Sequence, residues 1–169
     1  AILDILYENE HIALINKPPG MLSQKAAAGD VSLVEYFLEY TGGAEMGFRP
    51  GICNRLDRNT SGLVVAGKSL AGLQVMNGVF KDRSLHKYYQ CLVAGQVKEK
   101  KLIAGFLCKD EAANTVTVYP LEVEDSVPIM TEYLPLAGNG THTLLQVTLI
   151  TGRSHQIRAH LASIGHPIV

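Results

Sequence analysis

Five short apolar segments follow one another in the second half of the chain, and this series constrains the fold more than any other feature. They lie at residues 88–93, 102–108, 115–119, 129–134 and 143–150. In the last segment Leu145 and Val147 share one face, while Gln146 and Thr148 share the other, as in a half-buried strand. Several strands in a row after an early helix favour an α+β fold, with a mainly antiparallel mixed sheet and flanking helices.

Three helices are predicted around this sheet. One spans residues 32–40 and stops at two glycines, a second follows Ser69 to about residue 82, and a third follows Ser154 and ends at Gly165. In the second helix one face is expected to hold Leu70, Leu73, Met76, Val79 and Phe80, and the buried side of the third is expected to hold Ile157, Leu161 and Ile164. Two short strands around residues 9–10 and a buried strand at 63–66 complete the prediction.

Length and composition predict a globular domain rather than a disordered or fibrous chain. The chain has 169 residues, of which 47% are hydrophobic and 18% charged. No apolar run reaches the roughly 20 residues that a transmembrane helix needs, so no membrane partner is expected. Three cysteines without a CxxC pair argue against a disulfide framework and favour the cytoplasm.

The first segment with chemical content is residues 54–62, NRLDRNTSG. Asp57 lies between Arg55 and Arg58, and neighbouring positive charge favours an ionised carboxylate. Such a group can act as a nucleophile or a base. Composition alone favours the alternative of a structural salt bridge, with Asp57 stabilising a turn.

The second segment is residues 151–160, TGRSHQIRAH. A helix that begins among Gly, Ser and Arg is suited to binding phosphate, and Arg158 one turn further could meet a carboxylate. A solvated basic helix start is the alternative. The spacings of His155, His160 and His166 do not match the i, i+4 pattern of a zinc site, so no metal is predicted.

The third segment is the strand that contains Tyr88 and Tyr89. Because side chains alternate along a strand, one ring is expected to be buried and the other to face a groove or solvent. Core packing is the plain interpretation, and an aromatic platform for a nucleic-acid base is the functional one.

In this order the three segments resemble the RluA-like family of pseudouridine synthases, which isomerise uridine in structured RNA. The family signature is His-Arg-Leu-Asp-x-x-Thr-Ser-Gly, and further matches are the motif NKPPG at residues 16–20, the Lys-x-Tyr of Lys87 and Tyr89, and the late segment TGRSHQIRAHLASIGHPI. The resemblance extends from about residue 5 to the end of the chain. It implies the pseudouridine synthase catalytic fold over residues 1–169 as a single domain.

The resemblance also implies roles for individual residues. Asp57 would be the nucleophile, Arg158 its ion-pair partner, and Tyr89 would stack on the uracil and help to remove the proton from carbon 5. Arg55 would contact RNA and fill the space of the flipped nucleotide. The apolar walls of a dry pocket would be Leu56, Leu63 and Ile157. No metal or organic cofactor is implied.

The remaining residues predicted to contact RNA are Arg58, Lys87, Arg153 and His155. Asn54 stands where the family commonly has His, and altered loop packing is expected. Family members usually continue beyond GHPI with a further strand, and many carry an N-terminal RNA-binding domain. The chain is therefore expected to be a trimmed catalytic core.

The expected substrate is ribosomal RNA of the large subunit (23S), with transfer RNA second and no obligate protein partner. A non-catalytic RNA-binding module on the same scaffold is the main alternative, although such a module would be expected to lack Asp57. A retaining glycosidase is disfavoured, because the three segments offer no second carboxylate to pair with Asp57.

The net charge of −1 argues against RNA binding until it is divided by segment. Residues 49–68, 81–87 and 152–166 hold nine Lys or Arg and two acids, whereas the remainder holds six bases and fourteen acids. Positive charge is therefore concentrated in the segments expected to meet phosphate, where it would steer RNA.

Overall fold

Nine strands and three helices are present in residues 3–43 and 47–169, the ranges that the computed structural model describes. All pairings between these strands are antiparallel, and they form one sheet of four strands and one of five. The predicted α+β fold with antiparallel pairing is confirmed. The chain divides between Leu85 and His86 into two compact units, here called the first and second units.

The sheet of the first unit has the strand order β1-β2-β4-β3. Its strands are β1 (Ile5–Glu8), β2 (Ile12–Lys17), β3 (Gly51–Ile52) and β4 (Gly62–Gly67). Alternate residues of β2 are buried, namely Ala13, Ile15 and Lys17. Ile15 pairs with Val64 and Lys17 with Gly62, so the end of β2 lies beside the start of β4.

Two helices accompany this sheet, α1 (Leu33–Thr41) and α2 (Leu70–Lys81), both close to their predicted bounds. The Ser69 hydroxyl caps α2 by accepting a hydrogen bond from the Gly72 amide at 3.0 Å. A side chain at position 72 would collide with the His11 carbonyl, so glycine permits the close approach of α2. Leu70, the first residue of the predicted apolar face, is 56% exposed.

The sheet of the second unit has the order β5-β9-β8-β6-β7. These strands are β5 (Lys87–Ala94), β6 (Lys101–Asp110), β7 (Thr115–Tyr119), β8 (Val127–Gly138) and β9 (His142–Leu149). All five were predicted, but β8 extends past Pro135, where the register with β9 shifts. The helix α3 (Gln156–Ser163) buries Leu161 against Val93, Tyr133, Leu145 and Val147.

Two details predicted for α3 are wrong. The N-cap is His155, in the left-handed conformation with φ of 58°, rather than Ser154. Ile164 follows the end of the helix and is exposed, whereas the buried polar residues Gln156 and His160 occupy the inner face together with Leu161. Periodicity of apolar residues alone does not reveal a helix face that is partly polar.

Candidate functional site

Residues 54–62, called here the Asp57 loop, are anchored by hydrogen bonds to the buried side chain of Ser23. The Ser23 hydroxyl donates to the Leu56 carbonyl at 2.6 Å and accepts from the Leu56 amide at 2.9 Å. One side chain thereby satisfies both main-chain groups of Leu56, as a neighbouring strand would do. Leu56 is buried, while Asp57, which follows it, is exposed.

A buried lysine provides the second anchor of the Asp57 loop. The Lys17 ammonium donates to the carbonyls of Pro18 (2.9 Å), Met21 (2.7 Å) and Arg58 (3.0 Å). Lys17 is 0% exposed, and burial lowers the pKa of its ammonium, an effect that the charge of Asp57 opposes. All three protons of the ammonium are accounted for, and a positive charge remains fixed near Asp57.

The NKPPG segment, residues 16–20, is hydrogen-bonded to the Asp57 loop. The Gly20 amide also donates to the Arg58 carbonyl, at 2.7 Å, so that this carbonyl accepts from two groups of one turn. Gly20 has a φ of 90°, a conformation that L side chains rarely adopt. The turn and the Asp57 loop are thus joined through main-chain atoms.

Asn54 fastens the start of the loop to β4. Its amide donates to the Leu63 carbonyl at 3.1 Å, and its side-chain oxygen accepts from the Val65 amide at 2.8 Å. The residue that departs from the family signature therefore makes two specific backbone contacts. Whether this packing differs from that of a His at the same position stays a prediction.

The charged side chains of the loop remain at the surface. Asp57, Arg55 and Arg58 are all exposed. The Arg55 guanidinium donates to the Gln24 side-chain oxygen at 3.3 Å, and the Thr60 amide donates to the Asp57 carbonyl at 3.0 Å, closing a turn. Leu63 is 49% exposed, and its role as an apolar wall of a pocket stays a prediction.

In the second unit, β5 places Tyr88 and Tyr89 on opposite faces of the strand, as predicted. Tyr88 is 60% exposed and stacks against His86, with 6.1 Å between ring centroids. Tyr89 is half-buried and packs against the core of the unit, on the same face of β5 as Lys87 and Cys91. Lys87 contacts Gly152, so this face of β5 borders the segment that leads into α3.

That segment, residues 151–155, is called here the Arg153 turn, and Gln156 anchors it. The buried Gln156 amide accepts from the Thr151 hydroxyl at 2.8 Å and from the Arg153 amide at 3.0 Å. It donates to the Met130 carbonyl at 3.1 Å and to the Thr131 hydroxyl at 2.9 Å. One side chain thus ties the turn to β8.

His160 continues the network into the core. Its Nδ1 lies 2.7 Å from the Thr131 hydroxyl, and its ring forms a hydrogen bond with the Ala104 carbonyl. In the neutral imidazole, a ring that donates to that carbonyl has Nδ1 available to accept from the Thr131 hydroxyl. Burial lowers the pKa of His160, although the Ala104 carbonyl opposes this shift.

Nowhere in residues 3–43 and 47–169 do His, Cys, Asp or Glu side chains cluster as a metal site would require.

The predicted cations of the second unit are presented at its surface. Arg153, His155 and Arg158 are exposed. Arg158 lies near Cys91, whose pKa rises to about 11 because the thiol is largely buried, and the arginine charge opposes that rise. Cys91 is therefore a packing residue rather than a reactive thiol at neutral pH.

Sequence reasoning missed Lys17, Ser23 and Gln156, which hold the two polar segments in place. The NKPPG match pointed to Lys17 without giving it a function, and Gln156 lies inside the matched segment TGRSHQIR. Ser23 carries no signal in a single sequence, because nothing local distinguishes it from an exposed loop serine.

A match to a family model identifies the class of protein. Residues 11–163 match the family model described as RNA pseudouridylate synthase. The chain belongs to this family.

Two curated relatives show the extent of the similarity. The chain is 31% identical over 172 residues to ribosomal large subunit pseudouridine synthase D of Zymomonas mobilis, covering 99% of this chain and 54% of that protein. It is 32% identical over 170 residues to ribosomal large subunit pseudouridine synthase C of Vibrio parahaemolyticus, covering 97% and 50%. The chain therefore spans about half the length of the curated relatives it matches.

A solved structure shares the fold. Human RNA Pseudouridylate Synthase Domain Containing 1 superimposes with a TM-score of 0.83 at 22% identity, over 99% of this chain and 67% of that one. Among the described residues no helix is long and apolar enough to cross a membrane.

Proposed function

We propose that this chain isomerises uridine to pseudouridine in structured RNA, with Asp57 as the nucleophile. The observation that carries the proposal is the construction of the Asp57 loop. Ser23 and Lys17 fix the main chain on both sides of Asp57, while Asp57 itself lies at the surface. A reacting group on a rigid backbone is the arrangement that catalysis by positioning requires.

The reaction exchanges one bond for another without oxidation or net hydrolysis. The bond between uracil N1 and the anomeric carbon of ribose breaks, and a bond between uracil C5 and that carbon forms. The proton leaves C5, and N1 gains one. Asp57 attacks either the anomeric carbon or the base, and it is released when the new bond forms.

The second unit supplies the other groups of the proposal. Tyr89 stacks on the uracil and helps to remove the C5 proton, and Arg158 is the second charged group of the reaction. Support comes from the face of β5, which presents Tyr89 beside Lys87, and from the anchored turn that leads to Arg158.

RNA contacts come from cations of both units. Arg55, Arg58, Lys87, Arg153 and His155 are proposed to contact phosphate, and Arg55 fills the space of the extruded nucleotide. Extruding a base costs a few kcal/mol in lost stacking and pairing. A guanidinium in the vacated space and an aromatic ring on the flipped base offset that cost.

Large-subunit ribosomal RNA is the proposed substrate, because both curated relatives are named for that activity. The test incubates the chain separately with uridine-containing stem-loops from 23S ribosomal RNA and from transfer RNA, and measures pseudouridine after digestion to nucleosides. We expect product from ribosomal stem-loops, less from transfer RNA, and none from Asp57→Asn with either.

The matched control is Asp125→Asn, since Asp125 is exposed and asparagine tolerates its φ of 61°. It should retain full activity. RNA binding without product in the unsubstituted chain would favour the non-catalytic module instead.

A further inference from the structure

A groove of about 610 Å³ lies beside the Asp57 loop, wholly within the first unit. Its walls include Val34, Pro50 and Ile52, which are apolar, and its rim carries cations. We refer to it as the Arg49 groove. An apolar pocket with a few charged groups suits a ligand that has both a flat organic part and a charged part.

Three cations border the Arg49 groove, namely Lys25, Arg49 and Arg55. All three are exposed, and none forms an ion pair with another residue of the ranges 3–43 and 47–169. The carboxylate that faces them belongs to Glu35. Its two oxygens accept from the Ser32 hydroxyl at 3.0 and 3.1 Å, so Glu35 is occupied in capping α1.

The position of Arg55 relates the groove to the chemistry. Arg55 lines the groove, and Asp57 follows two residues later, a separation of at most about 7 Å along the chain. Asn54, which also lines the groove, is fixed to β4 by two hydrogen bonds. A chain of nucleotides that reaches Asp57 can therefore continue into the groove without a long bridge.

We propose that the Arg49 groove binds the nucleotide next to the target uridine, in single-stranded form. Lys25 and Arg49 contact its phosphates, and the base or ribose packs against Pro50 and Ile52. The proposal rests on the proposed function, since it assumes an RNA substrate. It adds a binding subsite and two contact residues, Lys25 and Arg49, that lie outside the matched catalytic segments.

The experiment measures binding of the full chain to a fluorescein-labelled single-stranded oligouridine by anisotropy, at several salt concentrations. Arg49→Gln and Lys25→Gln should each raise Kd by roughly fivefold and reduce the slope of log K against log salt by about 0.7, the value for one phosphate contact on a single strand. Lys98→Gln is the matched control, because Lys98 is exposed and lies in the second unit. Its substitution changes the net charge by the same amount as each groove variant. It should bind like the unsubstituted chain.

A second arm separates phosphate contact from structural damage. With an oligouridine whose linkages are uncharged methylphosphonates, Arg49→Gln and the unsubstituted chain should bind equally. The proposal is overturned if Arg49→Gln weakens both oligonucleotides alike, if the groove variants match Lys98→Gln, or if the unsubstituted chain binds no RNA. Equal competition by polyglutamate would also overturn it, because the groove would then accept any polyanion.

This test and the test of function fail separately. Asp57→Asn should bind the oligouridine normally, since Asp57 does not contact the nucleotide in the groove. Normal groove binding combined with unimpaired product formation by Asp57→Asn would contradict the nucleophile and leave the subsite standing.

Discussion

The two units hold their polar segments by the same device but with different chemistry. In the first unit the anchor beneath the Asp57 loop is Lys17, a buried cation bound by three carbonyls. In the second unit the anchor of the Arg153 turn is Gln156, a buried neutral amide with four hydrogen bonds. Each anchor binds main-chain atoms of the segment and leaves its charged side chains exposed.

The charge of the anchor differs between the two units, and this difference matches the charged side chains beside each anchor. Lys17 supplies geometry together with a fixed positive charge near the carboxylate, and it carries a desolvation cost that three carbonyls offset. Gln156 supplies geometry without charge, beside arginines that a second cation would repel. Removing the first anchor should therefore change stability and the charge near Asp57 together, whereas removing the second should change stability and the position of the Arg153 turn without changing any charge.

Replacing Lys17 should have the largest effect. Lys17→Met removes the ammonium from the carbonyls of Pro18, Met21 and Arg58, of which the last keeps the Gly20 amide, and each part-buried group left unsatisfied costs about 1–3 kcal/mol. We expect urea unfolding of the first unit to show a loss of about 3 kcal/mol or more, with pseudouridine formation abolished. Lys109→Met, at an exposed lysine, should change stability by less than about 0.5 kcal/mol. Equal stability of the two variants would disprove the anchor.

Replacing Gln156 should cost less stability but still impair the reaction. Gln156→Ala breaks four hydrogen bonds around the Arg153 turn, with an expected loss of about 2 kcal/mol. Because the turn would no longer be fixed, kcat should fall by roughly tenfold to a hundredfold. Gln90→Ala, on the exposed face of β5, is the matched control for both measurements. Full kcat in Gln156→Ala would show that the turn needs no anchor.

Asn54 offers a smaller test within the first unit. Asn54→Ala removes both contacts with β4 and should lower the free energy of unfolding by about 1 kcal/mol, as measured in urea. Asn59→Ala, at an exposed asparagine of the same loop, should be nearly neutral. If both variants lose the same stability, the contacts between Asn54 and β4 contribute nothing specific.

The smallest expected effect is a pH dependence of stability, which arises from His160 in the second unit. The pKa of His160 in the folded chain lies below its ordinary value of 6.5, so the unfolded chain takes up a proton first as the pH falls. Stability should be fully present above about pH 6.5 and decline toward the lower folded pKa. Thermal unfolding between pH 7.5 and 5.5 measures this, and His160→Asn should remove the decline, whereas His86→Asn should preserve it. If stability still declines with pH in His160→Asn, the decline is caused by groups other than His160.

Much of the scaffold could be predicted from local patterns. The strands and helices followed from alternation, helical spacing and turn residues, and their ends were wrong mainly where the governing contact is tertiary. The N-cap residue of α3 is His155 rather than Ser154, where the neighbouring Gln156 is hydrogen-bonded to Met130 and Thr131 of β8, and β8 passes Pro135 through a shift of register. Neither contact leaves a local signal.

The site divides in the same way. The chemically active residue types stand in recognisable segments, so Asp57, Tyr89 and Arg158 could be nominated from the sequence. Their supports could not be, because a buried lysine and a surface lysine look alike in one sequence. Only the fold shows that Lys17 ends beneath the Arg58 carbonyl, or that Ser23 pairs with Leu56 from 33 positions away.

The central claim is that Asp57 supplies the nucleophile from a rigid loop. The most direct measurement is the single-turnover release of tritium from C5 of labelled uridine in a ribosomal stem-loop, compared between the unsubstituted chain and Asp57→Asn. Because that hydrogen must leave before pseudouridine is complete, we expect release in Asp57→Asn to fall to the uncatalysed background, with RNA affinity and urea unfolding unchanged. Release by Asp57→Asn at a rate within tenfold of the unsubstituted chain would contradict the claim.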